Sequence, residues 1–133
     1  MQSQAAKLRC FIVEDSPVIL RNVADTLEHM LPIQVVSTAG DEAGATDWLR
    51  SHPGGCDLMI VDVFLKSGIG LNVLVGARRH ASQARKIVLT NHASDAIRRR
   101  CLSLGADRVF DKSHELDLLL DYCGELTASP ALP

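Results

Sequence analysis

The tightest constraint in this 133-residue sequence is a four-residue apolar run, Leu58-Met-Ile-Val61, that meets an aspartate, Asp62. Two glycines, Gly68 and Gly70, follow within eight residues. A short continuous apolar run bounded by turn signals suits a strand buried on both faces. Such a strand belongs in a parallel sheet with helices on either side. Asp62 then falls at the carboxyl end of the strand, the edge at which open parallel sheets place ligands and chemistry.

The remaining chain supplies four more units of the same kind. Leu8 to Val13 is an apolar run closed by Glu14-Asp15, and Ser16-Pro17 supplies an N-cap with proline in the first helical turn. Leu20, Val23, Ala24, Leu27 and Leu31 recur at helical spacing, and Pro32 ends that helix. Ile33 to Ala39 reads as a second, more polar strand, suited to a sheet edge. Gly40-Asp41 opens a helix through Ala45, Trp48 and Leu49, closed by His52-Pro-Gly-Gly55. After the Asp62 strand, Leu71, Leu74, Val75 and Arg78 mark a third helix. Lys86 to Thr90 is a fourth strand, and Ser94-Asp95 caps a helix carrying Ile97, Cys101 and Leu104, with Gly105 just past its end. Arg108 to Asp111 is a fifth strand, Lys112 follows, and Ser113 is expected to start the last helix.

Composition enters by narrowing the function classes. A net charge of −2 gives no general attraction to nucleic acid or a membrane surface. No stretch approaches the roughly 18 apolar residues of a membrane span. Cys10, Cys56, Cys101 and Cys123 are widely spaced, with no CxxC pair, as expected of reduced, mostly buried thiols in a cytosol. Lys7 and Arg9 precede only Cys10 to Val13 before two acids, too little for a signal peptide. A cytoplasmic chain is therefore expected. One domain over 1–133 is expected, with a core of about 8–127, short disordered tails and no second domain.

The chemistry-bearing residues sit at strand ends: Glu14 and Asp15 after the first, Asp62 after the third, Thr90 on the fourth and Lys112 after the fifth. In a parallel sheet all carboxyl ends point the same way, so these groups can share one cleft. Three carboxylates together repel unless a cation joins them. Mg²⁺ suits that need, taking one or two carboxylates, a carbonyl and waters. A carboxylate is also a competent nucleophile toward a phosphoryl group, and metal, lysine and hydroxyl can then neutralise or hydrogen-bond its oxygens.

Four motifs carry a family resemblance: Phe11-Ile-Val-Glu14-Asp15-Ser-Pro17, Met59-Ile-Val-Asp62-Val-Phe-Leu65, Ile87-Val-Leu-Thr90 and Val109-Phe-Asp-Lys112-Ser113. In that order and at those intervals the chain, from Leu8 to about Leu126, resembles the response regulator receiver domain of two-component signalling. The resemblance implies a doubly wound (βα)5, flavodoxin-like α/β fold with a parallel five-stranded sheet of order 2-1-3-4-5. It implies that Asp62 accepts a phosphoryl group from a sensor histidine kinase or a phosphotransfer protein. Mg²⁺ would be held by the side chains of Asp15 and Asp62, by the backbone carbonyl of Phe64, and by Glu14 through water. Lys112 would bind a phosphoryl oxygen, and Thr90 would hydrogen-bond the phosphate and report it. The implied role is signalling through altered protein–protein binding with no output domain in the chain. The only chemistry is then self-catalysed phosphotransfer and autodephosphorylation. An unnamed downstream protein would meet the face of residues 91–123, with Arg98 or Arg99, Val109, Leu118 and Tyr122 as contacts. No direct nucleic-acid or membrane partner is implied. Phe64 and His92, two positions after Asp62 and Thr90, would tune the lifetime of the phosphate.

Simpler readings stand beside these. Glu14-Asp15 also suits a helix N-terminus, and Lys112 alone reads as a surface lysine. Gly68-Ile-Gly70 lacks the remainder of a dinucleotide fingerprint. The scattered histidines read as surface residues, and Arg98-Arg99-Arg100 reads as a solvated helix face. Leu118 and Tyr122 suit either the margin of the core or a partner patch. Val109 stands where receivers commonly carry an aromatic residue, which argues against an aromatic-rotamer switch. Two other function classes stay open: a phosphatase-like hydrolase with Asp62 as nucleophile, although Phe64 occupies the place of its second acid, and a receiver-like scaffold that never takes phosphate.

Overall fold

The structure, a computed structural model, describes residues 7–91 and 93–128. The expected tails fall largely on residues 1–6 and 129–133, and these, with His92, lie outside the described residues. Strands and helices alternate as β1 (Leu8–Val13), α1 (Pro17–Met30), β2 (Ile33–Ala39), α2 (Glu42–Ser51), β3 (Leu58–Val61), α3 (Gly70–His80), β4 (Arg85–Thr90), α4 (Asp95–Ser103), β5 (Arg108–Asp111) and α5 (Leu116–Ala128). All four strand pairings are parallel, and the sheet order is β2-β1-β3-β4-β5, as the resemblance implies. β2 takes the polar edge position its composition suggests.

The sheet separates two apolar layers, and successive strand residues alternate between them as the two-residue period of a strand requires. Phe11, Val13, Met59, Val61 and Val88 face α2, α3 and α4, packing with Leu49, Leu74, Ala77 and Cys101. Cys10, Ile12, Leu58, Ile60, Ile87 and Leu89 face α1 and α5, packing with Val23, Leu27, Leu119 and Cys123. Every residue of β3 is buried, which explains why that strand reads as an unbroken apolar run. Full burial of a side chain such as Leu27 or Leu74 contributes about 2 kcal/mol. Each layer also holds two buried thiols, Cys56 and Cys101 in one, Cys10 and Cys123 in the other.

Capping follows the sequence closely. Ser16, Asp41 and Ser94 each accept an N–H of the helix they open, and Pro17 begins α1. Two details differ. The buried face of α3 runs through Val73, Leu74 and Ala77, whereas Val75 is exposed, because the sheet meets the helix on the other side of Leu74. α5 begins at Leu116 rather than Ser113. The Asp111 carboxylate accepts the Ser113 N–H and the Asp111 carbonyl accepts the Glu115 N–H, closing a separate turn before the helix.

The position of the site follows from this order. The chain leaves β1 toward β2 on one side and reaches β3 on the other, so connections diverge above the carboxyl ends of β1 and β3. That is the crevice in which doubly wound sheets bind ligands.

Candidate functional site

The backbone of the crevice is an extension of the sheet ladder. The Asp62 N–H donates to the Val13 carbonyl at 2.9 Å, the Glu14 N–H to Ala39 at 2.9 Å, and the Lys112 N–H to Thr90 at 2.9 Å. These bonds continue the strand register by one residue and lock the bases of the functional side chains. Gly70 adds a steric requirement. A Cβ there would collide with the Asp62 carbonyl oxygen, so only glycine lets α3 start this close to β3.

Glu14, Asp15, Asp62 and Lys112 come together in an open cleft of about 240 Å³ that Ser16, Ile19, Phe64 and Asn91 also line. Lys112 Nζ stands 2.6 Å from Glu14 Oε1 and 2.8 Å from Asp62 Oδ2. The second Glu14 oxygen accepts the Ser16 N–H at 3.0 Å, and Asp62 Oδ1 accepts the Phe64 N–H at 3.1 Å. Asp15 Oδ2 accepts the Lys66 N–H at 2.7 Å, tying the β3–α3 loop to the end of β1. Glu14 and Asp62 are each only 5% exposed. Thr90 is fully buried at the end of β4, next to the cleft-lining Asn91.

The electrostatics follow from burial and from the count of charges. Burial pushes the Glu14 carboxyl above its usual range, and the Asp62 charge adds to this, against Lys112 and the Ser16 N–H, which pull it down. Burial draws the Lys112 ammonium down, but hydrogen bonds and charges from Asp62 and Glu14 outweigh it and leave the group raised. Lys112 therefore stays an ammonium at any physiological pH. One ammonium serves three carboxylates, and the cleft is short of positive charge.

The donor set fits a hard divalent cation. One oxygen from each of Glu14, Asp15 and Asp62 lies within 4.8 Å of the others. Mg²⁺ prefers oxygen ligands and usually keeps several waters, so the three carboxylates need not all reach the ion directly. Phe64, the expected carbonyl ligand, lines the same cleft and is 49% exposed.

Several groups differ from the sequence reading or escape it. Arg98 is no solvated arginine. Its guanidinium donates to the carbonyls of Ala93 at 3.0 Å and Val109 at 2.9 Å and to Glu115 Oε1 at 2.8 Å. The same Glu115 oxygen accepts the Asp111 N–H at 2.9 Å. The pair thus closes the outer edge of β5, and the Arg98 guanidinium holds the Glu115 carboxyl below its usual range. Leu118 is exposed, whereas Tyr122 packs on the core and carries the Arg108 guanidinium over its ring at 4.6 Å. Asn91, directly after Thr90, lines the cleft, and Glu42, in the first turn of α2, reaches the β3–α3 loop; no motif in the sequence marks either residue.

The family model described as "Response regulator receiver domain" matches residues 10–123. Nitrate/nitrite response regulator protein NarP of Escherichia coli (strain K12) is 30% identical over 118 residues, spanning 89% of this chain and 54% of that protein. Methanol utilization control regulatory protein MoxX of Paracoccus denitrificans is 27% identical over 84% of this chain and 50% of its own length. The chain spans about half the length of these curated relatives. Among solved structures, the CheX–CheY–BeF3–Mg complex from Borrelia burgdorferi superposes with a TM-score of 0.82 at 18% identity, covering 92% of this chain and 90% of that one. The response regulator domain of Thermotoga maritima CheB gives 0.76 at 20% identity, with 91% and 93% covered. At these identities the structural likeness speaks for the fold.

Proposed function

The chain belongs to the response regulator receiver domain family, matched over residues 10–123, and from that premise we propose that Asp62 is its phosphoacceptor. The observation that supports this most is the grouping around Asp62. Its carboxylate lies 2.8 Å from Lys112 Nζ, with oxygens of Glu14 and Asp15 within 4.8 Å of its own. An Asp62 oxygen attacks phosphorus, an oxygen–phosphorus bond forms, and the bond to the donor breaks. With a phosphohistidine donor the leaving imidazole nitrogen then takes up a proton from solvent. Lys112, already touching Asp62, is placed to neutralise a phosphoryl oxygen. Asp15 and Asp62, with the Phe64 carbonyl and Glu14 through water, would hold Mg²⁺, which supplies further neutralisation of the transferring oxygens. Thr90 would hydrogen-bond the phosphate once its side chain turns toward the cleft.

The phosphodonor is a sensor histidine kinase or a phosphotransfer protein, and the signal leaves through residues 91–123. Arg98 is tied into that face and Val109 is buried in the core, so Arg99 and Leu118 remain as its accessible contacts. Amide shifts on beryllofluoride addition should concentrate in that segment, and shifts that bypass it would disprove the assignment. Phe64, half-exposed at the rim of the cleft, should shield the phosphate from water. Phe64→Asn should then shorten the lifetime of the aspartyl phosphate, and a longer-lived phosphate in that variant would refute the shielding.

Acetyl phosphate with Mg²⁺, followed by intact mass, tests the central assignment. One phosphoryl group should appear on the parent and none on Asp62→Asn; equal labelling of the two would overturn it. Sustained release of inorganic phosphate far beyond one turnover would favour the hydrolase reading. No uptake at all would favour the scaffold.

A further inference from the structure

The N-terminus of α3 has no cap of its own. Its N-cap residue, Ile69, offers no side-chain hydrogen bond to the first turn, although free N–H groups there need acceptors. The acceptor comes from another helix. Glu42, in the first turn of α2, accepts the Ile69 N–H at 2.9 Å and the Asn72 side-chain amide at 3.2 Å, both through Oε1. Its own N–H donates to the Ser67 carbonyl at 3.2 Å. Gly68, at a φ of 87°, lets the loop pass against the Glu42 side chain, where a Cβ would collide with it. Glu42 thus grips the β3–α3 loop at Ser67 and Ile69 and the first turn of α3 at Asn72.

What that loop carries makes the grip consequential. Ile69 pairs with Phe64 in an isolated antiparallel bridge, and the Gly70 N–H donates to Val63 at 2.9 Å. Phe64 in turn donates to Asp62 Oδ1. From Glu42 to the acceptor is therefore one hydrogen bond to Ile69, one backbone bridge to Phe64 and one hydrogen bond to Asp62. The opposite end of the loop is held by Asp15 through the Lys66 N–H. Asp15 would also have to serve a bound cation, whereas the Glu42 tie is made by a residue that does not line the cleft.

We propose that Glu42 is a positioning residue for the acidic cleft: it caps α3 from α2 and so holds Asp62 and the Phe64 carbonyl in register for a divalent cation. The proposal rests on the reading of Asp62 and its neighbours as a Mg²⁺-dependent phosphoacceptor site. It adds a residue that touches neither metal nor phosphate. Groups that hydrogen-bond a metal ligand directly change metal affinity by about 10–100-fold when removed, and Glu42, one backbone bridge further out, is expected at the lower end of that range.

Glu42→Ala, Glu42→Asp and Glu42→Gln separate geometry from charge. Gln keeps an oxygen at the same reach for the Ile69 N–H, whereas Asp keeps the charge but withdraws the oxygen by one methylene. Mg²⁺ titration followed by amide shifts should give affinities weakened roughly tenfold or more for Ala and Asp, and within about twofold of the parent for Gln. In metal-free protein, Ile69 amide exchange should accelerate in Ala and Asp and stay slow in Gln. Phosphorylation by acetyl phosphate should slow at low Mg²⁺ and recover at saturating Mg²⁺. Should Ala fail to fold, the Asp and Gln pair decides alone. Gln behaving like Asp, or a lowered melting temperature with unchanged Mg²⁺ affinity, would overturn the proposal. A parent that neither binds Mg²⁺ nor takes phosphate would instead refute the underlying site.

Discussion

The two ends of the sheet hold similar charges and treat them in opposite ways. At the amino end, Asp57 accepts the Arg9 N–H at 2.8 Å, its Nε at 3.1 Å and its Nη2 at 3.0 Å. Asp107 accepts the Lys86 N–H at 2.8 Å, and Lys86 Nζ finds the Ala84 carbonyl at 2.9 Å. Each carboxylate has its own donor, and the Arg9 guanidinium holds the Asp57 carboxyl below its usual range. At the carboxyl end, Lys112 divides itself between Glu14 and Asp62, while burial drives Glu14 the other way. One end is complete as folded. The other holds more carboxylate than cation, and that imbalance is what marks it as the candidate site.

Removing the cation from the carboxyl end should have the largest effect. Lys112→Met leaves two nearly buried carboxylates without a counter-charge. It should cost about 3 kcal/mol of metal-free stability, part of which Mg²⁺ restores. Urea unfolding in chelator checks this, and a variant as stable as the parent there would contradict the charge shortage.

Glu14→Gln should act in the opposite direction and less strongly, raising metal-free stability at neutral pH. The sign follows from a folded-state pKa raised above the unfolded 4.5. Between 4.5 and the folded value the native chain binds more protons, so stability from this group falls as pH rises. The variant should flatten that slope in a urea series run in chelator; an unchanged slope would assign it to another residue.

Asp57→Asn should produce the smallest effect, a slight loss at neutral pH, because the pair is solvent-exposed. A carboxyl depressed from 3.8 contributes above that value and loses its contribution as pH falls through the folded one. Parent and variant should therefore converge below about pH 3.8. A gap that widens there would reverse the assigned sign.

What could be read from the chain alone was what is local or strictly periodic. Apolar runs marked the strands, and Ser16, Asp41 and Ser94 marked helix starts, because a cap and its N–H lie within three residues. Glu14, Asp15, Asp62, Thr90 and Lys112 stood out because parallel strands bring their ends to one edge without any knowledge of loops. Glu42 and Arg98 did not, since their partners are set by which helices become neighbours. Glu42 reaches 27 and 30 residues along the chain, and Arg98 reaches Glu115 across β5. An acid in a first turn and an arginine in a basic triplet have satisfactory local explanations, which hid the distant ones.

The two thiols in each apolar layer make the fold a clock with two hands. Burial pushes Cys56 up to about 11 and Cys123 to about 12, and it raises Cys10 and Cys101 as well. The thiolate that alkylating reagents attack is therefore scarce while the layers stay shut. Cys56 and Cys101 would time the opening of the layer beneath α2, α3 and α4, and Cys10 and Cys123 that beneath α1 and α5. Because the acidic cleft is built on the ends of β1, β3 and β5, strands that carry residues of both layers, a bound cation should slow both hands together. Mass-resolved labelling in which Mg²⁺ slows only one pair would show that the layers open independently.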